Sequence, residues 1–203
     1  IEANNLLTRS NDCRTAPGNA IWFGTMGRNL ETEIGAYYHI SFPDMHVKDL
    51  FRPITVPNAT CFSPDGKLAY FCDTFTHRIM KCQIDHQTGQ PASPPELFVD
   101  LSEEGINPDG AIIDSEGRLW NAQWGCGKVS CYDSEGTFVK AIRLPASKLT
   151  CPCFGGPDFK TLFVTSASEQ ISVEEEPLAG AVFAIPVDIP GLAERRITLP
   201  IVS

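Results

Sequence analysis

The chain reads as all-β, a β-propeller of four-stranded blades. Three observations predict this. A turn-then-strand unit recurs four times, its turns repeat with a period in the forties, and no long stretch carries a 3.6-residue apolar period.

The four units are RTAPGNAIWFGTM (14–26), CFSPDGKLAYFCD (61–73), IIDSEGRLWNAQW (112–124) and CFGGPDFKTLFVTSA (153–167). Each joins a polar turn containing Gly, Pro or Asp to an apolar, aromatic strand. The turn glycines Gly18, Gly66 and Gly117 lie 48 and 51 residues apart, and a fourth turn near Lys160 follows 43 residues later. Several short strands within such a period are what a propeller blade leaves in a sequence. Trp22 and Trp120 fall inside these strands and read as blade packing.

The intervening segments supply the other strands. GAYYHI (35–40), RIMKCQID (78–85), GKVSCYD (127–133) and GAVFAIPV (180–187) follow the four units at similar distances. ELFVD (96–100) and FVKAIRLP (138–145) are further strands, and DHQTGQP and DSEGT are hairpin turns. The expectation is four blades of about four strands each. The acidic SEQISVEEEPLAG (168–180) reads as a solvent-facing loop.

With 203 residues, 42% of them hydrophobic, the chain can bury a sizeable core, and residues 1–203 are taken as one propeller domain. Sixteen Lys and Arg against 25 Asp and Glu leave a net charge of -9. That balance argues against nucleic acid, whose binding rests on Lys and Arg at phosphates. No apolar run approaches the length that crosses a membrane as a helix, so no membrane role is expected. Eight cysteines without a Cys-x-x-Cys, and no visible export signal, read as reduced core thiols of a cytoplasmic protein. The even count leaves a disulfide framework open. The chain opens on Ile1, not Met, so its beginning reads as missing or processed.

Asp109 lies between Pro108 and Gly110, eight residues before Gly117. Asn58 lies eight before Gly66, and Asn11 seven before Gly18. The innermost strand of each blade lines the central channel, so residues in one phase of the repeat form a ring around it. Asn11, Asn58 and Asp109 are therefore expected to converge at one mouth. Three oxygen-bearing side chains suit a hard cation such as Ca²⁺ or Mg²⁺, and also accept Mn²⁺ or Zn²⁺. The competing reading is turn duty, since Asn and Asp side chains bond nearby backbone. Thr150 and Cys151 occupy this phase in the fourth repeat and add no charge. Asp12 reads as a loop buttress, and Asp73 and Asp114 as ties within turns. The four scattered histidines read as surface or satisfied residues. Trp124 stays open between packing and channel. No Gly-x-Ser-x-Gly elbow or P-loop is present.

RSNDCRTAPGNAIWFGTM (9–26), PNATCFSPDGKLAYFCDT (57–74), NPDGAIIDSEGRLWNAQWG (107–125) and TCPCFGGPDFKTLFVTSA (150–167) resemble the SMP-30/gluconolactonase/regucalcin-like family of six-bladed propeller lactonases. The resemblance implies a metal site made by a first-blade Glu, Asn58 and Asp109. It implies that Arg9 and Asn11, in an Arg-x-Asn-Asp motif, contact substrate. Some members follow Gly-Thr-Met with an acidic contact; here Arg28 and Asn29 stand there, so Asn29 becomes the candidate and substrate choice is altered. The implied function is a metal-dependent hydrolase that opens a sugar lactone, a gluconolactonase-like aldonolactonase, by metal-assisted water attack with Asp109 as the catalytic base. Its cofactor would be one divalent ion, Ca, Zn, Mn or Mg. The first Glu ligand would precede residue 1, and Glu2 is too close to Arg9 to replace it. Roughly the first two of six blades are expected to lie outside this chain. A longer chain or a complementing polypeptide would carry them, since an open ring exposes sheet edges. Two alternatives remain: a non-catalytic calcium- or ligand-binding propeller, and a phosphotriesterase-like hydrolase, which needs a more apolar pocket than Arg9, Asn11 and Asn29 offer.

Overall fold

In the computed structural model, which describes residues 1–199, fifteen strands form four antiparallel sheets. The first is β1 (Thr8–Ala16), β2 (Ala20–Gly27), β3 (Gly35–Ser41) and β4 (His46–Ile54). The second is β5 (Pro57–Phe62), β6 (Leu68–Asp73), β7 (Arg78–Gln83) and β8 (Glu96–Asp100). The third is β9 (Asn107–Ile113), β10 (Leu119–Trp124), β11 (Lys128–Tyr132) and β12 (Phe138–Arg143). The fourth is β13 (Leu149–Gly155), β14 (Thr161–Ser166) and β15 (Val182–Pro186). In every sheet the strands lie side by side in chain order, the up-and-down meander of a propeller blade.

The expected turn glycines do the work that puts them there. Gly18, Gly66 and Gly117 have φ of +71°, +70° and +81°, where a side chain would be strained. Asp73 and Asp114 tie their turns as expected. Asp73 accepts from the amides of Thr55 and Val56 at 2.7 and 3.0 Å. Asp114, fully buried, accepts from Arg118 Nε at 2.8 Å and Trp120 Nε1 at 2.9 Å.

Alternation along the strands sends apolar residues into the spaces between sheets, so the core is three layers and not one. Trp22, Tyr37, Phe62 and Phe71 fill the first space, Tyr70, Ile79, Leu119 and Tyr132 the second, and Trp120, Leu149, Leu162 and Val164 the third. Burying each such side chain contributes roughly 2 kcal/mol. The inner strand β5 is buried throughout, whereas outer β12 is almost wholly exposed.

The fourth sheet departs from expectation: it has three strands, not four. After β15 the chain leaves the sheet and spends its polar groups on other turns. Pro190 O accepts from Ser115 N at 2.9 Å, Arg195 Nη2 donates to Ser63 O at 3.2 Å, and Thr198 N donates to Asn19 Oδ1 at 2.7 Å. Residues 190–198 thus form a strap across the turns of the third, second and first sheets. The acidic loop 168–180 is largely exposed as expected, though Glu176 accepts from Ser147 N at 2.7 Å.

Half of the cysteines match the core-thiol expectation. All eight are free; Cys61, Cys72, Cys82 and Cys131 are buried, Cys126 and Cys151 half-buried, and Cys13 and Cys153 exposed.

Candidate active site

Every innermost strand carries a β-bulge at the same level. Asn11 and Asp12 on β1 stand opposite Gly24 alone, and Ala59 and Thr60 on β5 opposite Phe71. Asp109 and Gly110 on β9 stand opposite Ala122, and Thr150 and Cys151 on β13 opposite Thr165. A bulge adds one residue, bends its strand and re-aims side chains, and such bulges collect beside functional sites. The four bulges form one tier around the axis. Gly110 is required there because a Cβ would lie 2.9 Å from Cys151 Sγ and 2.8 Å from Thr150 O.

The bulges also correct the phase expected from the turns. Asn11 and Asp109 hold the first bulge position, but Asn58 stands one residue earlier, paired with Cys72. The β5 bulge starts seven residues before Gly66, as the β1 bulge does before Gly18, whereas the β9 bulge starts eight before Gly117, so a count of eight from Gly66 aligns the wrong residue. The side chains still connect. Arg9 Nη1 donates to Asn11 Oδ1 at 3.2 Å, and Asn11 Nδ2 donates to Asn58 Oδ1 at 3.1 Å. Asn58 Nδ2 donates to Thr74 Oγ1 at 2.9 Å, and Thr74 Oγ1 donates to Pro108 O at 2.7 Å. One directed chain of hydrogen bonds therefore runs from Arg9 to the residue before Asp109, across three sheets. Thr74, from the 3₁₀ turn Thr74–Thr76, is a link the sequence reading missed.

Asp12 does buttress, as expected, accepting from Thr60 N at 2.8 Å. It is also a second carboxylate of the channel. Burial, with Asp12 as a like charge beside it, pushes Asp109 up to about 7; the Gly110 amide, donating at 2.8 Å, opposes this. Asp12 is itself raised, by burial first. Two buried carboxylates raised above their usual range form an environment that a divalent ion would relieve. Asn121, fully buried on β10, donates from Nδ2 to Asp109 O at 2.9 Å and steadies the β9 bulge.

Not every expected residue joins this cluster. Asn29 is exposed beyond β2 and bonded to Glu31, through its amide at 2.9 Å and through Nδ2 at 2.9 Å. Arg9 is exposed at the rim, its Nη1 fixed by Ser10 O at 2.9 Å. Glu2 is engaged elsewhere, accepting from Tyr38 Oη and Thr8 Oγ1 at 2.5 Å each. Trp124 carries the Lys148 ammonium 5.2 Å above its ring. His77 Nδ1 lies 2.9 Å from Ile106 O; His39 is buried with Nε2 2.7 Å from Thr88 O, while its buried Nδ1 has no partner, so it is only half satisfied. Among the described residues no group of three or more His, Cys, Asp or Glu side chains that could hold a metal ion is found.

Beneath the tier lies Arg14, a residue the sequence reading passed over. Its guanidinium donates to Ala111 O at 2.8 Å, to Thr60 O at 3.2 Å and to strap residue Glu194 at 2.6 Å. Burial opposes its charge, but Glu194 and smaller contributions from neighbouring groups including Asp12 together outweigh it and hold the guanidinium charged.

Comparison with known proteins supports the propeller fold and gives the family. Residues 1–168 match the model of the SMP-30/Gluconolactonase/LRE-like region. A Rhizobium meliloti (strain 1021) protein, whose name proposes it as a sugar lactone lactonase, is 40% identical over 94% of this chain and 65% of its own length. A 6-deoxy-6-sulfogluconolactonase of Pseudomonas putida is 35% identical over 92% of this chain and 65% of its own length. The crystal structure of a calcium-binding protein, regucalcin, from Agrobacterium tumefaciens str. C58 superposes with a TM-score of 0.94 at 39% identity, covering 98% of this chain and 68% of that one. The chain thus spans just under two thirds of the length of these curated relatives. On its sequence match, its blades and its tier of bulges, the chain belongs to the SMP-30/gluconolactonase/LRE-like family.

Proposed function

We propose that the protein is a metal-dependent lactonase that hydrolyses a sugar lactone of the aldonolactone class. In this reading residues 1–203 are the C-terminal part of one propeller domain in a cytoplasmic protein, and further polypeptide carries the remaining blades. The observation that carries it is the bulge tier, which joins Arg9, Asn11 and Asn58 by hydrogen bonds to the strand of Asp109. The lactonase names of the relatives support the substrate class.

Asn58 Oδ1 and the Asp109 carboxylate would hold one divalent ion, Ca, Zn, Mn or Mg. All are oxygen donors, and the crowded carboxylates favour a cation beside them. When bound, such an ion supplies Lewis acidity toward the lactone carbonyl and lowers the pKa of a bound water. Asp109 accepts the proton of the attacking water. Arg9 and Asn11 hold the sugar hydroxyls; Arg9 donates to the developing oxyanion, and Asn11 accepts through Oδ1, because both of its Nδ2 protons are taken by Pro57 O and Asn58 Oδ1. Asn29, at the rim beyond β2, meets the far end of the substrate.

The test is acid release in a pH-stat from a panel of aldonolactones, after EDTA and again with Ca²⁺, Mg²⁺, Mn²⁺ or Zn²⁺ restored. Turnover should vanish with chelation and return with one of the ions. Calcium binding by calorimetry without turnover of any lactone would favour a non-catalytic calcium-binding propeller instead.

A further inference from the structure

Asn58 serves an ion only with its amide oxygen turned to the channel, and an amide side chain can present either end. The hydrogen bonds around it leave one choice. Pro108 O, a carbonyl, can only accept, and Thr74 Oγ1 lies 2.7 Å from it. A hydroxyl has one proton, so that of Thr74 is spent on Pro108 O. The Cys72 thiol, a weaker donor, reaches the same carbonyl at 3.7 Å. Toward Asn58, 2.9 Å away, Thr74 Oγ1 can therefore only accept, and the atom facing it is Nδ2. Asn58 Oδ1 is left on the other side, where it accepts from Asn11 Nδ2 at 3.1 Å. That bond uses one lone pair of Oδ1 and keeps the second for a cation.

Thr74 is held firmly enough to enforce this. It is 8% exposed and Asn58 6%, so water competes little for either bond. Its amide donates to Val56 O at 2.9 Å, and its carbonyl accepts from His77 N at 3.0 Å. Asp73 caps the 3₁₀ turn, accepting from Phe75 N at 3.2 Å while it also holds the amides of Thr55 and Val56. The hydroxyl is thus carried on a fixed backbone where the second sheet, which bears Asn58, meets the third, which bears Asp109. Pro108 O is the carbonyl immediately before Asp109. One hydroxyl therefore orients one proposed ligand and anchors the strand of the other.

We propose that Thr74 is a positioning residue of the metal centre: it turns Asn58 Oδ1 toward the channel and fixes the segment that carries Asp109. It touches neither ion nor substrate and acts through its two hydrogen-bond partners. The inference rests on the reading of Asn58 and Asp109 as ligands, and adds what sets their orientation. Groups that orient metal ligands in this way contribute about 10–100-fold in affinity.

The experiment compares Thr74→Val, Thr74→Ser and Thr76→Val with the parent. Val matches the shape of Thr and lacks only the hydroxyl. Thr76 lies in the same turn, but its hydroxyl donates to Asp73 O at 2.8 Å and to neither ligand segment. Calorimetry reads the affinity for Ca²⁺, Mg²⁺, Mn²⁺ and Zn²⁺, and urea unfolding reads stability. Thr74→Val should weaken the ion that the parent binds by about 10–100-fold, whereas Thr74→Ser should stay within about threefold. Thr76→Val should lose stability and keep the parent's metal affinity. A second readout needs no metal. In ¹⁵N spectra of the EDTA-treated protein, an Asn58 Nδ2 proton should exchange slowly with water, and at least about tenfold faster in Thr74→Val. Parent-like metal affinity in Thr74→Val, or an equal loss of affinity in Thr76→Val, would overturn the proposal. So would Asn58 protons that exchange alike in the parent and Thr74→Val. A parent that binds none of the ions would overturn the ligand reading instead, and the exchange rates would still decide whether Thr74 orients Asn58.

Discussion

The two levels of the channel differ although they share strands. At the tier of bulges, Asp12 and Asp109 crowd each other and Asp109 rises to about 7. Two to three residues further along β1, Arg14 is paired with Glu194 and bonded to Thr60 O and Ala111 O. One level holds a carboxylate raised by burial and a like charge, and the other a guanidinium paired with Glu194. The bulge separates them, because it ends regular pairing at the tier and lets it resume below. An open electrostatic demand reads as a site, and a closed one reads as scaffold.

The largest expected break in this contrast is Asp109→Ala. It should lower metal-restored lactone turnover by about 10³-fold or more, equivalent to ~4 kcal/mol, while circular dichroism stays that of the parent. Arg14→Met should do the reverse. Two buried carbonyls lose their donor, so stability in urea should drop by about 3 kcal/mol, with activity falling only as the fold does. A smaller effect is expected from Arg9→Ala. Its exposed guanidinium should matter to substrate and not to the fold, raising KM about tenfold and lowering kcat by a smaller factor, since it also donates to the developing oxyanion.

The smallest effect sharpens the contrast at a third place. Burial opposes ionisation of Glu2, but hydrogen bonds from Thr8, Tyr38 and Thr25 and the Arg52 charge hold its carboxyl below the usual value. A depressed carboxylate stabilises the fold above its unfolded pKa and loses that contribution as pH falls through the folded value. Glu2→Gln should therefore lower stability at neutral pH by less than about 1 kcal/mol and flatten the acid limb of a stability–pH profile. An unchanged acid limb would mean that Glu2 contributes nothing to the first sheet.

What was legible beforehand follows the range of the forces involved. Turn glycines, most strand segments and Asp114 act within a few residues and were readable; β4 (His46–Ile54) was not, and Asp73 reaches back to Thr55 and Val56. Asn11, Asn58 and Asp109 were readable as a set, but their register was not. A bulge can shift by one residue without changing a turn's composition, and Asn58 is the residue so displaced. Arg14 was invisible because its partners Ala111 and Glu194 lie 97 and 180 residues away. The missing fourth strand was hidden for the same reason. Nothing within GLAERRITLP announces that its hydrogen bonds go to turns of three other sheets. The one available signal was Pro190, which supplies an acceptor but no donor to a ladder.

The strap also sets an order of events. Each sheet is a meander of neighbours and can form as soon as its own residues exist. The bonds between Thr198 and Asn19 and between Glu194 and Arg14 join residues about 180 apart, and no earlier part of the chain can replace them. Contacts of such separation repay the entropy of closure only after everything between them is in place. Arg14 therefore waits, in the assembling channel, for a carboxylate that follows it by 180 residues. The chain should stay loose around its axis until that late arrival, and then tighten in one step.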